Sequence, residues 1–152
     1  MADVWHDWGQ ISEFLRHSRE FLPPDDEEDQ ELLLAAVLIH SYALAESAAA
    51  TQLGLPWREL GPIESWGEKL LTAQGKRWSK VSGGLRGAVE VAVIRNVLAH
   101  GQRKLDDLSV DRLVRAGAEP DEVVRSVQLD HASIGMYRGR LQSLLNHAAV
   151  GA

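Results

Sequence analysis

The amino-acid sequence predicts an all-α protein: an up-and-down bundle of about five helices, formed by a single domain over residues 1–152. Three observations lead there. Apolar residues recur at three- and four-residue intervals along most of the chain. Glycine and proline punctuate the boundaries between those stretches. Only one short segment, near the carboxyl end, shows the two-residue alternation of an extended strand. With 45% hydrophobic and 25% charged side chains in 152 residues, the chain has the mixture and length of one globular unit with one core.

The first helix is expected over residues 4–22, with apolar or aromatic side chains at 4, 8, 11, 14, 15, 21 and 22 and with Pro23 and Pro24 ending it. The acidic run DDEED, residues 25–29, reads as the start of the second helix, because carboxylates there accept from free N–H groups and suit the positive end of the helix dipole. It lacks the alternating ligands and glycine turn of a calcium loop. The second helix continues over residues 28–53 to Gly54. Its alanine-dense half, ALAESAAA at residues 43–50, would let another helix approach closely and holds one acid, Glu46. A lone acid on such a surface needs solvent or a cation, which makes Glu46 a candidate structural partner for Arg95.

Residues 53–62, LGLPWRELGP, read as a connection, and residues 63–73 as a shorter helix closed by Gly75. After the basic linker KRWSKVSGG comes a central helix over residues 84–100, stopped in the left-handed conformation by Gly101. Residues 105–116 suggest a further helix broken near Ser109. The alternation of Val123, Val124, Val127 and Leu129 suggests an extended piece before a last helix over residues 131–149. The five tryptophans, at 5, 8, 57, 66 and 78, are expected as core or interface anchors, with Trp78 in the basic linker also placed to stack on a base.

Several chemistries are excluded by composition. The chain has no cysteine, which removes disulfides, thiolate metal sites and cysteine nucleophiles and suits a reducing cytosol. The amino terminus has no basic flank or apolar run of a signal peptide. The longest apolar run, residues 32–39, falls short of the ~20 residues needed to span a bilayer. A cytoplasmic protein with no membrane partner is expected. His6, His17, His40, His131 and His147 show no zinc-ligand spacing. SGGLRG around Arg86 lacks the lysine followed by serine or threonine that ends a phosphate-binding loop, and no serine has nucleophile-elbow context. No metal and no cofactor are expected.

Charge is segregated along the chain. Lys76, Arg77, Lys80, Arg86, Arg95, Arg103 and Lys104 share a window with one acid, Glu90, so this stretch carries +6 while the remainder carries -12, for a net -6. Such segregation can give an acidic protein a phosphate-attracting face. Solvated residues around a loop are the alternative. On the first reading, Lys76, Arg77, Lys80, Arg86, Arg103 and Lys104 are candidate RNA-binding residues.

Residues 95–101 read RNVLAHG and close the central helix. Projected at 100° per residue, Arg86, Glu90, Asn96 and His100 fall in an arc of about 120° with Val89, Val93 and Val97, while Arg95 lies outside it beside alanines 88, 92 and 99. A histidine is the side chain that gives and takes a proton near neutral pH. Asn96, one turn before it, can orient the ring or bind a phosphate oxygen, and Arg95 is long enough to reach a phosphate near the helix end. The alternatives are structural: Arg95 paired with Glu46 inside the bundle, His100 as a helix-end cap, and Asn96 bonded to a loop carbonyl.

These residues resemble the HEPN superfamily (higher eukaryote and prokaryote nucleotide-binding domains), whose hallmark is an arginine, four to six intervening residues and a histidine, often with asparagine after the arginine. The resemblance covers residues 4–101 in architecture. The arginine–histidine spacing alone is common, and specificity comes from Asn96, one of only two asparagines in the chain, and from the helix-end position. The resemblance implies a HEPN-like bundle and a metal-independent endoribonuclease in which the RNA 2′-hydroxyl is the nucleophile and a cyclic phosphate remains. It implies His100 as general acid or base, Arg95 as the charge stabiliser and Asn96 as a positioning group. It also implies a homodimer and a toxin–antitoxin or antiviral-defence setting, with a cognate antitoxin or defence partner. Some members of the superfamily bind nucleotides or proteins without cutting. Where a nucleotidyltransferase modifies the toxin, a tyrosine stands two residues after the histidine; here that position is Gln102.

Overall fold

Six α-helices form the regular structure in the computed structural model, which describes residues 3–21 and 27–152. They are α1 (Val4–Phe21), α2 (Glu27–Leu53), α3 (Ile63–Ala73), α4 (Gly84–Ala99), α5 (Asp107–Arg115) and α6 (His131–His147), with 3₁₀ turns at Trp57–Glu59, Trp78–Lys80 and Pro120–Glu122. The all-α class is therefore that of the structure, with six helices where the sequence suggested about five. The expected end of the first helix at Leu22, Pro23 and Pro24, and the residues Asp25 and Asp26 of the acidic run, lie outside the described residues. Glu27, Glu28 and Asp29 occupy the first turn of α2, where carboxylates favour the helix dipole.

The central element is α2, which packs against α1, α3, α4 and α6. Its buried residues Leu34, Leu38, Tyr42, Ala45 and Ala49 follow the three- and four-residue spacing of one helical side, and the two alanines are fully covered. By length and composition α2 would suffice to cross a bilayer, with a mean hydropathy of 1.6 in its richest window. Counting only uninterrupted apolar runs misses this, because His40, Ser41 and Glu46 divide the segment. Nine of its residues are instead buried among the other helices, as in the central helix of a helical core. From α4, Val89, Val91, Ala92 and Val93 enter the same core; α6 contributes Ile134, Leu141, Leu144 and Leu145, and α3 contributes Trp66.

The segment before α6 corrects one expectation and refines another. No break occurs at Ser109: Asp106 caps α5, its carboxylate accepting from the Ser109 N–H at 2.8 Å, so the serine belongs to the first turn of a continuous helix. The β-branched stretch forms a single antiparallel bridge, Lys104 with Ser126, in which Leu105 N–H donates to Arg125 O and Val127 N–H donates to Arg103 O. No longer ladder is present among the described residues. The last helix begins with a capping box between Asp130 and Ser133 and ends at His147, two residues before the expected 149.

Local sequence explains the start of α4. Gly83 and Gly84 both have positive φ, and Arg140 from α6 crosses the helix at Gly83 and Gly87, where any β-carbon would press on its side chain. Arg140 then reaches Glu90 at 3.0 Å. Gly83 and Gly87 of SGGLRG thus admit a neighbouring arginine.

Candidate functional site

The carboxyl end of α4 is built by its backbone. His100 is the C-cap residue, Gly101 follows with φ +72°, Gly101 N–H donates to Leu98 O, and Gln102 N–H donates to Val97 O. This is a Schellman closure, which satisfies the terminal carbonyls without the imidazole. The His100 side chain is consequently exposed at the helix end.

Asn96 and His100 line one open groove of about 390 Å³. Val93 and Val97 line it from the same helix, Gln102 from the turn, Asp106, Leu108 and Ser109 from the start of α5, and Arg112 from its last turn. Asn96 is half-buried there, and Leu108 is 78% exposed at the rim. The projected arc is thus only partly open: Val89, Val93 and Val97 are buried by the chain's own elements, and Glu90 is engaged with Arg140. What a second molecule can meet is the polar part of the arc and Leu108.

Arg95 points the other way. Its guanidinium carbon lies 4.3 Å from the centroid of the Tyr42 ring, and Nη2 is 3.8 Å from Glu46 Oε1. The side chain is 26% exposed, while its Nε is buried and has no hydrogen-bond partner among the described residues. The alanine-dense face of α2 brings the two helices together here. Burial raises the Glu46 carboxyl above its ordinary value, against the pull of Arg95 and of the Trp57 indole. Burial likewise pushes the Tyr42 hydroxyl up to about 12, assisted by Glu46 and opposed by Arg95 and Arg112.

Arg112 is the cation on the Asn96–His100 groove, and nothing in the sequence singles it out. Its Nε and Nη2 hold Glu64 of α3 at 2.9 and 2.6 Å in a bidentate pair. The Arg112 hydrogen bond keeps the Glu64 carboxyl below its ordinary value despite burial. The partners are 48 residues apart, so no local spacing announces them.

The six candidate RNA-binding residues are all exposed but lie in two groups. Lys76, Arg77 and Lys80 precede α4 and Arg86 lies in its first turn; Arg103 and Lys104 follow its carboxyl end, with Arg103 3.6 Å from Glu31. The 16 residues of α4 separate these groups by on the order of 24 Å. Lys76 lies 3.5 Å from His147. Trp78 packs its ring edge against Gly67 and its indole N–H is buried, so it behaves as a core anchor more than a stacking platform. Trp57, 65% exposed, is the open tryptophan of the five. Among the described residues no three histidine, aspartate or glutamate side chains converge in a way that could hold a metal ion.

The fold and site define an all-helical protein with a histidine–asparagine groove beside a stacked, acid-paired arginine. No protein-family model, curated protein or solved structure matches this chain.

Proposed function

We propose that this chain is a metal-independent endoribonuclease of HEPN type, working as a cytoplasmic homodimer within a toxin–antitoxin or antiviral-defence system. The observation that carries the reading is the exposure of His100 with Asn96 in one open groove, at the end of the helix that also bears Arg95. In this mechanism the RNA 2′-hydroxyl attacks the adjacent phosphorus and the bond to the 5′ oxygen breaks, leaving a 2′,3′-cyclic phosphate. His100 takes the hydroxyl proton or supplies one to the departing 5′ oxygen; a partner subunit brings a second copy for the opposite role. Asn96 holds the ring or a phosphate oxygen. Arg95 stabilises charge on the phosphate oxygens. Its contact with Glu46, at 3.8 Å, is longer than a charge-assisted hydrogen bond, and a phosphate that recruits Arg95 competes with Glu46 and with the Tyr42 ring. The exposed Leu108 at the groove rim is apolar surface that a second subunit would cover.

A second reading, a non-catalytic helical dimer that binds RNA, nucleotide or a protein partner, draws on the seating of Arg95 over Tyr42 and against Glu46, which gives the arginine a structural role. The deciding experiment mixes purified protein with labelled structured and unstructured RNAs in EDTA. The nuclease reading expects products with cyclic-phosphate ends, lost in His100→Ala and with 2′-deoxy substitution at the cut site. Intact RNA throughout, or cleavage that persists in His100→Ala, would overturn it.

A further inference from the structure

The groove that holds Asn96 and His100 contains a guanidinium, and it belongs to Arg112 rather than to Arg95. Arg112 reaches the groove from α5, while Glu64 on α3 takes its Nε and Nη2 at 2.9 and 2.6 Å. That pair uses the side-on fork of the guanidinium and leaves Nη1, together with the second N–H of Nη2, outside it. Those donors form the end-on fork, whose spacing matches two oxygens of a phosphate. The Arg112 side chain is 21% exposed and lines the groove, so part of it remains reachable. A cation held in this way loses little rotamer freedom when an anion arrives. The remaining groove members include Asn96, Ser109 and Gln102, all able to hydrogen-bond phosphate or sugar oxygens. The acid on the groove wall, Asp106, is committed to capping α5 through the Ser109 N–H.

We propose that Arg112, oriented by Glu64, is the phosphodiester-contacting cation of the His100 groove. The proposal rests on the reading of this groove as an RNA site and adds to it a residue from outside the arginine–histidine motif. Arg112 is a binding residue for the backbone; Glu64 is a positioning residue that acts through it.

The test measures binding separately from cleavage. A fluorescent 2′-O-methyl RNA oligonucleotide, which lacks the attacking hydroxyl, is titrated into the full chain by anisotropy at several salt concentrations. Arg112→Gln is expected to weaken binding about tenfold and to reduce the slope of log affinity against log salt by about one phosphate contact. Arg112→Lys is expected to restore the slope, since it keeps the charge. Should Arg112→Gln fail to fold because Glu64 is left without its cation, the double variant Glu64→Gln with Arg112→Gln removes both charges and carries the same expectation. Unchanged affinity and slope in the folded variant, no restoration by lysine, or no salt-dependent binding by the wild-type chain would each overturn the proposal. The two readings fail separately. Cleavage lost in His100→Ala alongside Arg112-independent binding removes only the role of Arg112. Binding that depends on Arg112 without any cleavage removes only the nuclease.

Discussion

Arg95 lies with its guanidinium 4.3 Å above the ring of Tyr42, so the arginine of the motif is seated on the buried face of α2. The ring faces the cation with its negative quadrupole, which offsets part of the water lost by the guanidinium. Glu46 supplies the formal counter-charge at 3.8 Å and is itself only 12% exposed. A ligand that recruits Arg95 competes with both.

Arg95→Ala should destabilise the chain by about 1–3 kcal/mol at neutral pH. The sign of its pH dependence follows from Glu46, whose folded carboxyl is already raised above 4.5 by burial and loses its main opposing cation in the variant. A carboxyl raised on folding contributes stability that is complete below its unfolded value and is lost as pH climbs through the folded value. The variant should therefore be closer to wild type at pH 4 than at pH 7. Urea denaturation at the two pH values checks this, and an equal deficit at both contradicts it.

Glu64 behaves in the opposite sense. Its folded carboxyl is held below 4.5 by Arg112, so its contribution is present above that value and disappears as pH falls through the folded value. Glu64→Gln should cost about 1–3 kcal/mol at pH 7 and almost nothing at the acid end. A melting-temperature series from pH 7 to pH 3 should show the two proteins converging on acidification.

Arg138 is a buried cation without a carboxylate partner among the described residues. Its Nε donates to Ser41 Oγ at 2.9 Å, Nη1 to Ser12 Oγ at 3.0 Å and Nη2 to Trp8 O at 3.0 Å, joining α6 to α1 and α2. Its guanidinium also lies 4.5 Å from the Trp8 ring centroid. Arg138→Met keeps the stem but leaves those acceptors empty, and should lower stability by about 2–4 kcal/mol. Arg138→Lys should recover only part of this, because one ammonium cannot meet three diverging acceptors. Full recovery by lysine in chemical denaturation would refute the account.

Gly101 holds the end of α4 with φ +72°. Gly101→Ala should cost about 1 kcal/mol, the strain of a side chain in the left-handed region. Because the same turn sets His100, RNA cleavage, where observed, should fall by more than the loss of folded protein explains. Comparing activity per folded molecule, by circular dichroism and initial rate, measures the difference.

The sequence alone determined the parts of this protein that depend on neighbours along the chain. The 3.6-residue period located α2, α3 and α4 closely, and Gly101 marked the stop because few other residues adopt its backbone conformation without cost. Helical geometry placed Asn96 and His100 on one side and Arg95 on another, and the lone acid in an alanine-dense stretch pointed to Glu46. Only the tertiary structure decided what faces those residues. The approach of α5 brought Arg112 and Leu108 to the groove, α3 supplied Glu64 from 48 residues away, and α4 held apart the two basic groups that the sequence window had joined. Periodicity and backbone hydrogen bonding act over a few residues, whereas the choice of partner follows from which apolar faces pack together, and that is settled by the core as a whole.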